Sequence, residues 1–150
     1  MSPPVRRPPQ PAGFRLTIGG TEVAGLFKEA TGFDSENEVT EERTSDPAGH
    51  TVIVQVPGPR RNGPLTLARP VTSDRGLWEW WRMAGEPDPA RTPRRDCTID
   101  LMDQAGAAIA TFSLRAAWPK AYVAAELGAG SDNDVVMEKI TIAHEGLRRE

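Results

Sequence analysis

Apolar and polar residues alternate with period two through most of this chain, and the alternation is cut into short runs by proline and glycine, which predicts a β protein. Phe14-Arg15-Leu16-Thr17-Ile18 places Phe14, Leu16 and Ile18 on one buried face, and Gly19-Gly20 follows as a turn that accepts positive φ. Residues 23–30 carry no clear period and fit a short strand followed by a turn around Gly32. Residues 36–43, with Glu36, Glu38, Val39, Thr40, Glu41, Glu42 and Arg43, hold too many charges for a core element. They read either as a solvated edge strand or as a strand whose partner comes from another chain.

Asp46-Pro47-Ala48-Gly49 is a strong turn signal, and Thr51, Val52, Ile53, Val54, Gln55 and Val56 follow it. The expected product is a long β-hairpin with one acidic and one β-branched arm. Two strands bury too little apolar surface to be stable alone in water, so the hairpin itself suggests assembly. Pro57-Gly58-Pro59 is expected to stop the second arm, and residues 65–69 form a further strand that Pro70 ends.

A helix is predicted from a cap at Ser73 or Asp74 to about Ala84, with Gly85 as C-cap and Pro87 barring continuation. Leu77, Trp78, Trp80, Trp81 and Ala84 fall on one broad side of it, as a helix covering a sheet requires. Residues 86–95 form a loop rich in proline and arginine. Cys97, Ile99 and Leu101 then alternate with polar neighbours, Asp103-Gln104-Ala105-Gly106 turns the chain, and Ala108, Ala110, Phe112 and Leu114 share a face of the returning strand. Ala116-Ala117-Trp118-Pro119-Lys120 makes a corner after it. Residues 122–127 lead into glycine-rich and acidic segments, and a final strand spans residues 135–143 with Val136, Ile140 and Ile142 on one side. Six to eight short strands, one helix and no βαβ alternation predict a mainly β fold: an antiparallel sandwich or partly open barrel with one flanking helix.

At 150 residues the chain has the length of one domain. Its expected parts are a proline-rich arm (1–13), a β domain (14–147) and a short tail (148–150). Eighteen basic and 21 acidic residues give a formal charge of -3, which implies no broad polyanion-binding surface and no specific nucleic-acid partner. No apolar run is long enough to span a bilayer and none at the N-terminus resembles a secretory signal, so cytoplasmic assembly without a membrane anchor is expected. Cys97 is the only cysteine and stands on an apolar strand face, where it reads as a core residue rather than a nucleophile. His50 and His144 are too few for a zinc site, Asp132-Asn133-Asp134 lacks the rest of a calcium loop, and no nucleophile elbow or phosphate loop occurs. Neither a cofactor nor a catalytic centre is expected.

The segments fall in an order that resembles the inner-tube protein of contractile injection systems, the phage-tail-like particles of the T4-like tail tube family. The similarity covers residues 14–147. It rests on Ile18-Gly19-Gly20, the acidic stretch 36–43, Gln55-Val56-Pro57-Gly58, Leu65-Thr66-Leu67-Ala68-Arg69-Pro70, Leu77-Trp78-Glu79-Trp80, the strand with Ile99, Leu101 and Asp103, Ala117-Trp118-Pro119, and His144-Glu145-Gly146-Leu147. The family pattern carries Lys and Gly where this chain has Ala68 and Pro70, and a lysine before the position of Val56.

The resemblance implies a structural subunit, six copies of which close into a ring that stacks into a hollow tube. It implies that a sheath drives the tube into a target with effector cargo in the lumen or at the tip, and that baseplate or spike and cap proteins are further partners. The hairpin residues Glu36, Glu38, Val39, Thr40, Glu41, Glu42, Arg43 and Val52 to Val56 would close the ring and line the lumen. Pro57, Gly58, Arg69, Trp118, Pro119, His144 and Glu145 would make contacts between rings or loops. A baseplate-proximal tube initiator is the alternative within the family. A carbohydrate-binding β-sandwich with exposed Trp78 or Trp80 is the alternative outside it.

Overall fold

A computed structural model describes residues 10–86, 93–124 and 136–150. The described chain is mainly antiparallel β, with ten strands and one helix. β1 (Pro11–Ile18) turns at Gly19-Gly20 into the two-residue β2 (Thr21–Glu22). Both turn glycines have positive φ, as a two-residue hairpin loop requires. β1 begins at Pro11, inside the segment expected to be an arm; residues 1–9 and the acidic segment around Asp132 lie outside the described residues.

β3 (Glu29–Thr31) is followed by β4 (Ser35–Ser45), β5 (Thr51–Asn62) and β6 (Leu65–Pro70). Then come helix α1 (Gly76–Gly85), β7 (Arg95–Asp103), the 17-residue β8 (Ala108–Ala124), β9 (Met137–Ala143) and β10 (Gly146–Arg149). Eight strands form one hydrogen-bonded path, β2-β1-β7-β8-β9-β6-β3, with β10 attached to β8; β4 and β5 pair only with each other.

The path is two sheets joined by a shared strand. β8 pairs with β10 up to Arg115 and with β7 up to Ala117, and from Trp118 it pairs with β9. The corner predicted at residues 116–120 is therefore a bend within one strand. Cys97 faces Leu114 but Arg95 faces Ala117, so β8 carries an extra residue there. Ala116 takes φ 48, and its N–H donates to Asp96 Oδ1 at 3.0 Å, replacing the ladder bond that the bulge removes. On the far side, Phe14 and Phe27 exchange two backbone hydrogen bonds of 2.8 Å, which tie β1 to the segment leading into β3. The sheets thus approach each other on both sides without closing into a barrel.

Between them, Leu16, Phe27, Leu65, Leu67, Leu77, Ile99, Ala117, Ile140 and Ile142 are fully buried. α1 covers this core with Leu77 and Trp80, and the Trp80 indole N–H donates to Pro93 O at 2.9 Å. Trp78 lies at the rim, 39 % exposed and edge-on to Tyr122 at 5.5 Å. No side chain caps the first turn of the helix, in contrast to the cap expected at Ser73 or Asp74. Arg75 stands at the N-cap position, and Asp74, one residue before it, accepts from the N–H of Gly76, the first helical residue, at 3.4 Å. β10 is a strand that the alternation did not reveal.

One ion network crosses the core wall. Arg69 on β6 and Glu138 on β9 are register partners, 1 % and 3 % exposed. Arg69 Nε donates to Glu138 Oε1 at 2.5 Å, Nη1 to Ala24 O at 2.7 Å and Nη2 to Asp74 Oδ2 at 3.1 Å. The Tyr122 hydroxyl donates to the other Glu138 oxygen at 2.6 Å, and the guanidinium lies 5.3 Å from the Phe27 ring centroid. Burial, and then the Glu138 contact, push the Tyr122 phenol up to about 12, so it remains a donor at neutral pH. Removing one side of such a pair leaves a buried charge without its partner, so Arg69→Ala should lower the unfolding free energy by about 3 kcal/mol. Urea denaturation measures this, and a loss below about 1 kcal/mol would show that the network is dispensable.

Candidate assembly surface

The β4–β5 hairpin stands apart from both sheets. Its ladder runs from Ser45↔Thr51 beside the turn to Ser35↔Asn62 at the root, and at about 3.4 Å per residue the 11 residues of β4 extend some 35 Å. At the tip, Asp46 accepts from the His50 amide at 2.7 Å and fixes the Asp46-Pro47-Ala48-Gly49 turn. Cross-strand partners share a face. Thr40, Glu42 and Thr44 therefore lie with Val56, Val54 and Val52, whereas Val39, Glu41 and Arg43 lie with Pro57, Gln55 and Ile53. Val39 is 65 % exposed, Ile53 56 %, and Val52 and Val54 39 % each. Such residues are ordinarily found on strands that are covered on at least one face.

Pro57-Gly58-Pro59 does not stop β5, which continues to Asn62. Between Asn37↔Arg60 and Val39↔Pro57 the ladder holds one more residue on β5 than on β4, and a bulge at an unshared edge is where proline costs a sheet least. Beyond the bulge, Arg61 pairs with Glu38 and Arg60 donates to Asn37 at 3.2 Å.

The remaining predicted contact residues divide by burial. Arg69 is enclosed by the network above and Pro119 is buried on β8, so both act inside the subunit rather than at a loop surface. Their place at the end of a strand and after a tryptophan gave no sign of burial. Trp118 is half-buried opposite Ala143, and exposed Glu145 pairs with Arg94. His144 stands at the hairpin root, and Asn62 shares an oddity with it: Asn62 Oδ1 and both His144 ring nitrogens are buried without a hydrogen bond of full geometry. Burial holds the His144 pKa below its ordinary 6.5, against smaller upward pulls from the Gly63 and Gly146 backbone and from Asp34. Gly32, at the other strand leading to the root, has φ 92, and a Cβ there would lie 2.2 Å from Pro64 O.

Burial pushes the Cys97 thiol up to about 12, which keeps it an unreactive core residue at neutral pH. Among the described residues no group of three or more His, Cys, Asp or Glu side chains is placed to hold a metal, and no helix is long and apolar enough to cross a membrane.

Two open sheets with an isolated hairpin, acidic on β4 and carrying exposed aliphatic side chains mostly on β5, define a β protein with unshared strand edges. The chain belongs to the T4-like virus tail tube protein gp19 family, whose profile matches residues 10–148. No curated protein matches it in sequence. Its fold is similar to a chain of the PVC sheath–tube complex, an extracellular contractile injection system in the extended state, with a TM-score of 0.75, 22 % identity, and coverage of 97 % of this chain and 93 % of that one. The tube-terminating cap of the anti-feeding prophage gives a TM-score of 0.75 and 22 % identity over 100 % of this chain and 95 % of that one. Hcp1 from Flavobacterium johnsoniae gives 0.51 and 18 % over 91 % and 93 %. At these identities the likenesses define the fold.

His144 sets a pH dependence. Its folded-state pKa is lower than in the unfolded chain, so unfolding takes up a proton and stability falls as pH drops below about 6.5 and through the folded value. Denaturation midpoints between pH 7.5 and 5 should decline in the wild type and decline less in His144→Gln. Equal slopes would remove His144 as the cause.

Proposed function

We propose that this protein is the repeating subunit of the inner tube of a contractile injection particle. Six copies close into a ring and rings stack into a hollow tube. A contractile sheath surrounds the tube, a baseplate or spike starts it and a cap ends it; effector cargo travels in the lumen or at the tip. The observation that carries this reading is the free hairpin, with four large aliphatic side chains exposed, in a chain of the tail tube family. A two-stranded sheet of this length gains stability when its edges and apolar face are covered, and neighbouring copies in a closed ring supply that cover without leaving an open edge. In this assembly Glu36 to Arg43 and Val52 to Val56 form the ring contacts and lumen wall, and Trp118, His144 and Glu145 stand where loops of adjacent rings meet.

A terminal role is the second reading. Its support is the likeness to the prophage cap, as high as that to the sheath–tube chain, and to a chain of the prophage baseplate at a TM-score of 0.67 and 18 % identity over 100 % of this chain and 97 % of that one. Negative-stain electron microscopy over a concentration series separates them: a tube subunit forms long tubes alone, and a terminal subunit stops at rings. Val54→Pro removes a ladder donor from the hairpin without touching the core, and should abolish rings while leaving a folded subunit. Intact tubes from this variant would contradict the assignment of the hairpin to ring closure.

A further inference from the structure

The hairpin reading leaves open what receives the hairpin on the next copy. Charge separates the subunit into two complementary regions. On β4, Glu36, Glu41 and Glu42 have no ion-pair partner among the described residues, although the hairpin ladder brings Arg43 within the same strand. Glu38 is the one β4 glutamate that is paired, to Arg61. β10 is an edge strand: one side pairs with β8 through Gly146↔Arg115 and Arg149↔Phe112, and the other side pairs with no described strand. Between this edge and the hairpin root runs a polar groove of about 750 Å³, lined among others by Arg60, Arg115, Gly146 and Glu145, the last already paired with Arg94. Among the described residues Arg115 spends one N–H on Glu145 O at 3.1 Å and makes no ion pair, Arg60 donates to Asn37 and makes no ion pair, and exposed Arg149 makes none either.

We infer that the groove and the free β10 edge beside it are the acceptor for the acidic β4 strand of a second copy of this chain, with Glu41 and Glu42, which lie on opposite faces of β4, facing Arg115 in the groove and Arg149 on the edge strand. This rests on the tube-subunit reading and names the partner surface of the same hairpin. Glu41 and Glu42 lie toward the hairpin tip and the groove lies at its root, so the contact is between different patches, and such a head-to-tail contact closes a ring when its rotation permits. An added strand would also satisfy the backbone groups that the free β10 edge presents. The unpaired arginines then gain carboxylates, and the complementarity fixes which strand is admitted.

Charge exchange tests this directly. Glu41→Arg with Glu42→Arg makes the hairpin basic, and Arg115→Glu with Arg149→Glu makes the acceptor acidic; all four side chains are exposed, so both proteins should retain the wild-type circular dichroism spectrum. Each variant alone brings like charges together and should lose rings by more than about tenfold relative to wild type. Mixed one to one, the basic hairpin of the first meets the acidic groove of the second, and the wild-type hairpin of the second meets the wild-type groove of the first. Rings should return in the mixture, with the two proteins alternating. Full ring formation by either variant alone, or failure of the mixture to restore rings, would overturn the inference while wild-type rings leave the tube reading intact. Absence of rings from wild type as well would overturn both.

Discussion

One strand, β8, serves two sheets, and the bend that allows it is set by a bulged residue at Ala116 held through its N–H by Asp96. Before the bend the strand supports β7 and β10, and after it supports β9 and through β9 the Arg69–Glu138 network. The angle between the sheets follows from this bend, and with it the volume that Leu16, Ile99, Ile140 and Leu77 fill. α1 then closes one side of the core. The bend also brings the end of β9 and the start of β10 to the hairpin root, where His144 meets Gly63. A strand of uniform pleat could hold neither sheet in this relation, since a continuous ladder keeps a strand in one sheet.

The subunit is therefore rigid where charge and core are enclosed and open where strands end. Arg69, Glu138, Tyr122 and Ala24 O use their polar groups on one another, leaving little for a partner. β4, β5 and β10 carry the reverse condition, with unshared edges, exposed aliphatic side chains and uncompensated charge. Isolated proteins ordinarily protect such edges. Here they persist along some 35 Å of hairpin, and the proposed ring contact would cover them.

Much of this was readable in the residues. The hairpin is legible because Asp46-Pro47-Ala48-Gly49 fixes a turn between arms of contrasting composition, and the corner at Trp118-Pro119 because proline interrupts a long alternating run. Three features were not. β5 runs through Pro57 and Pro59 because a strand with an unshared edge tolerates lost donors, and edge status is not written in local sequence. β10 is four residues with two arginines, too short to show a period, and owes its conformation to β8. Arg69 looks like a surface residue by type, and only the carboxylate of Glu138, 69 positions away, makes its burial tolerable. Among the candidate contact residues the hairpin positions were visible as a block, whereas the acceptor groove joins residues from β5, β8 and β10 and exists only in the fold.

The central claim is that the edges of residues 35–62 are paired by neighbouring copies in the assembled protein. Amide hydrogen exchange of wild-type protein, compared between dilute monomer and purified rings or tubes, reads those edges residue by residue. Amides of β4 and β5 that exchange rapidly in the monomer should become strongly protected on assembly, together with those on the free edge of β10. Equal exchange of these strands in both states, with protection gained elsewhere on the subunit, would contradict it.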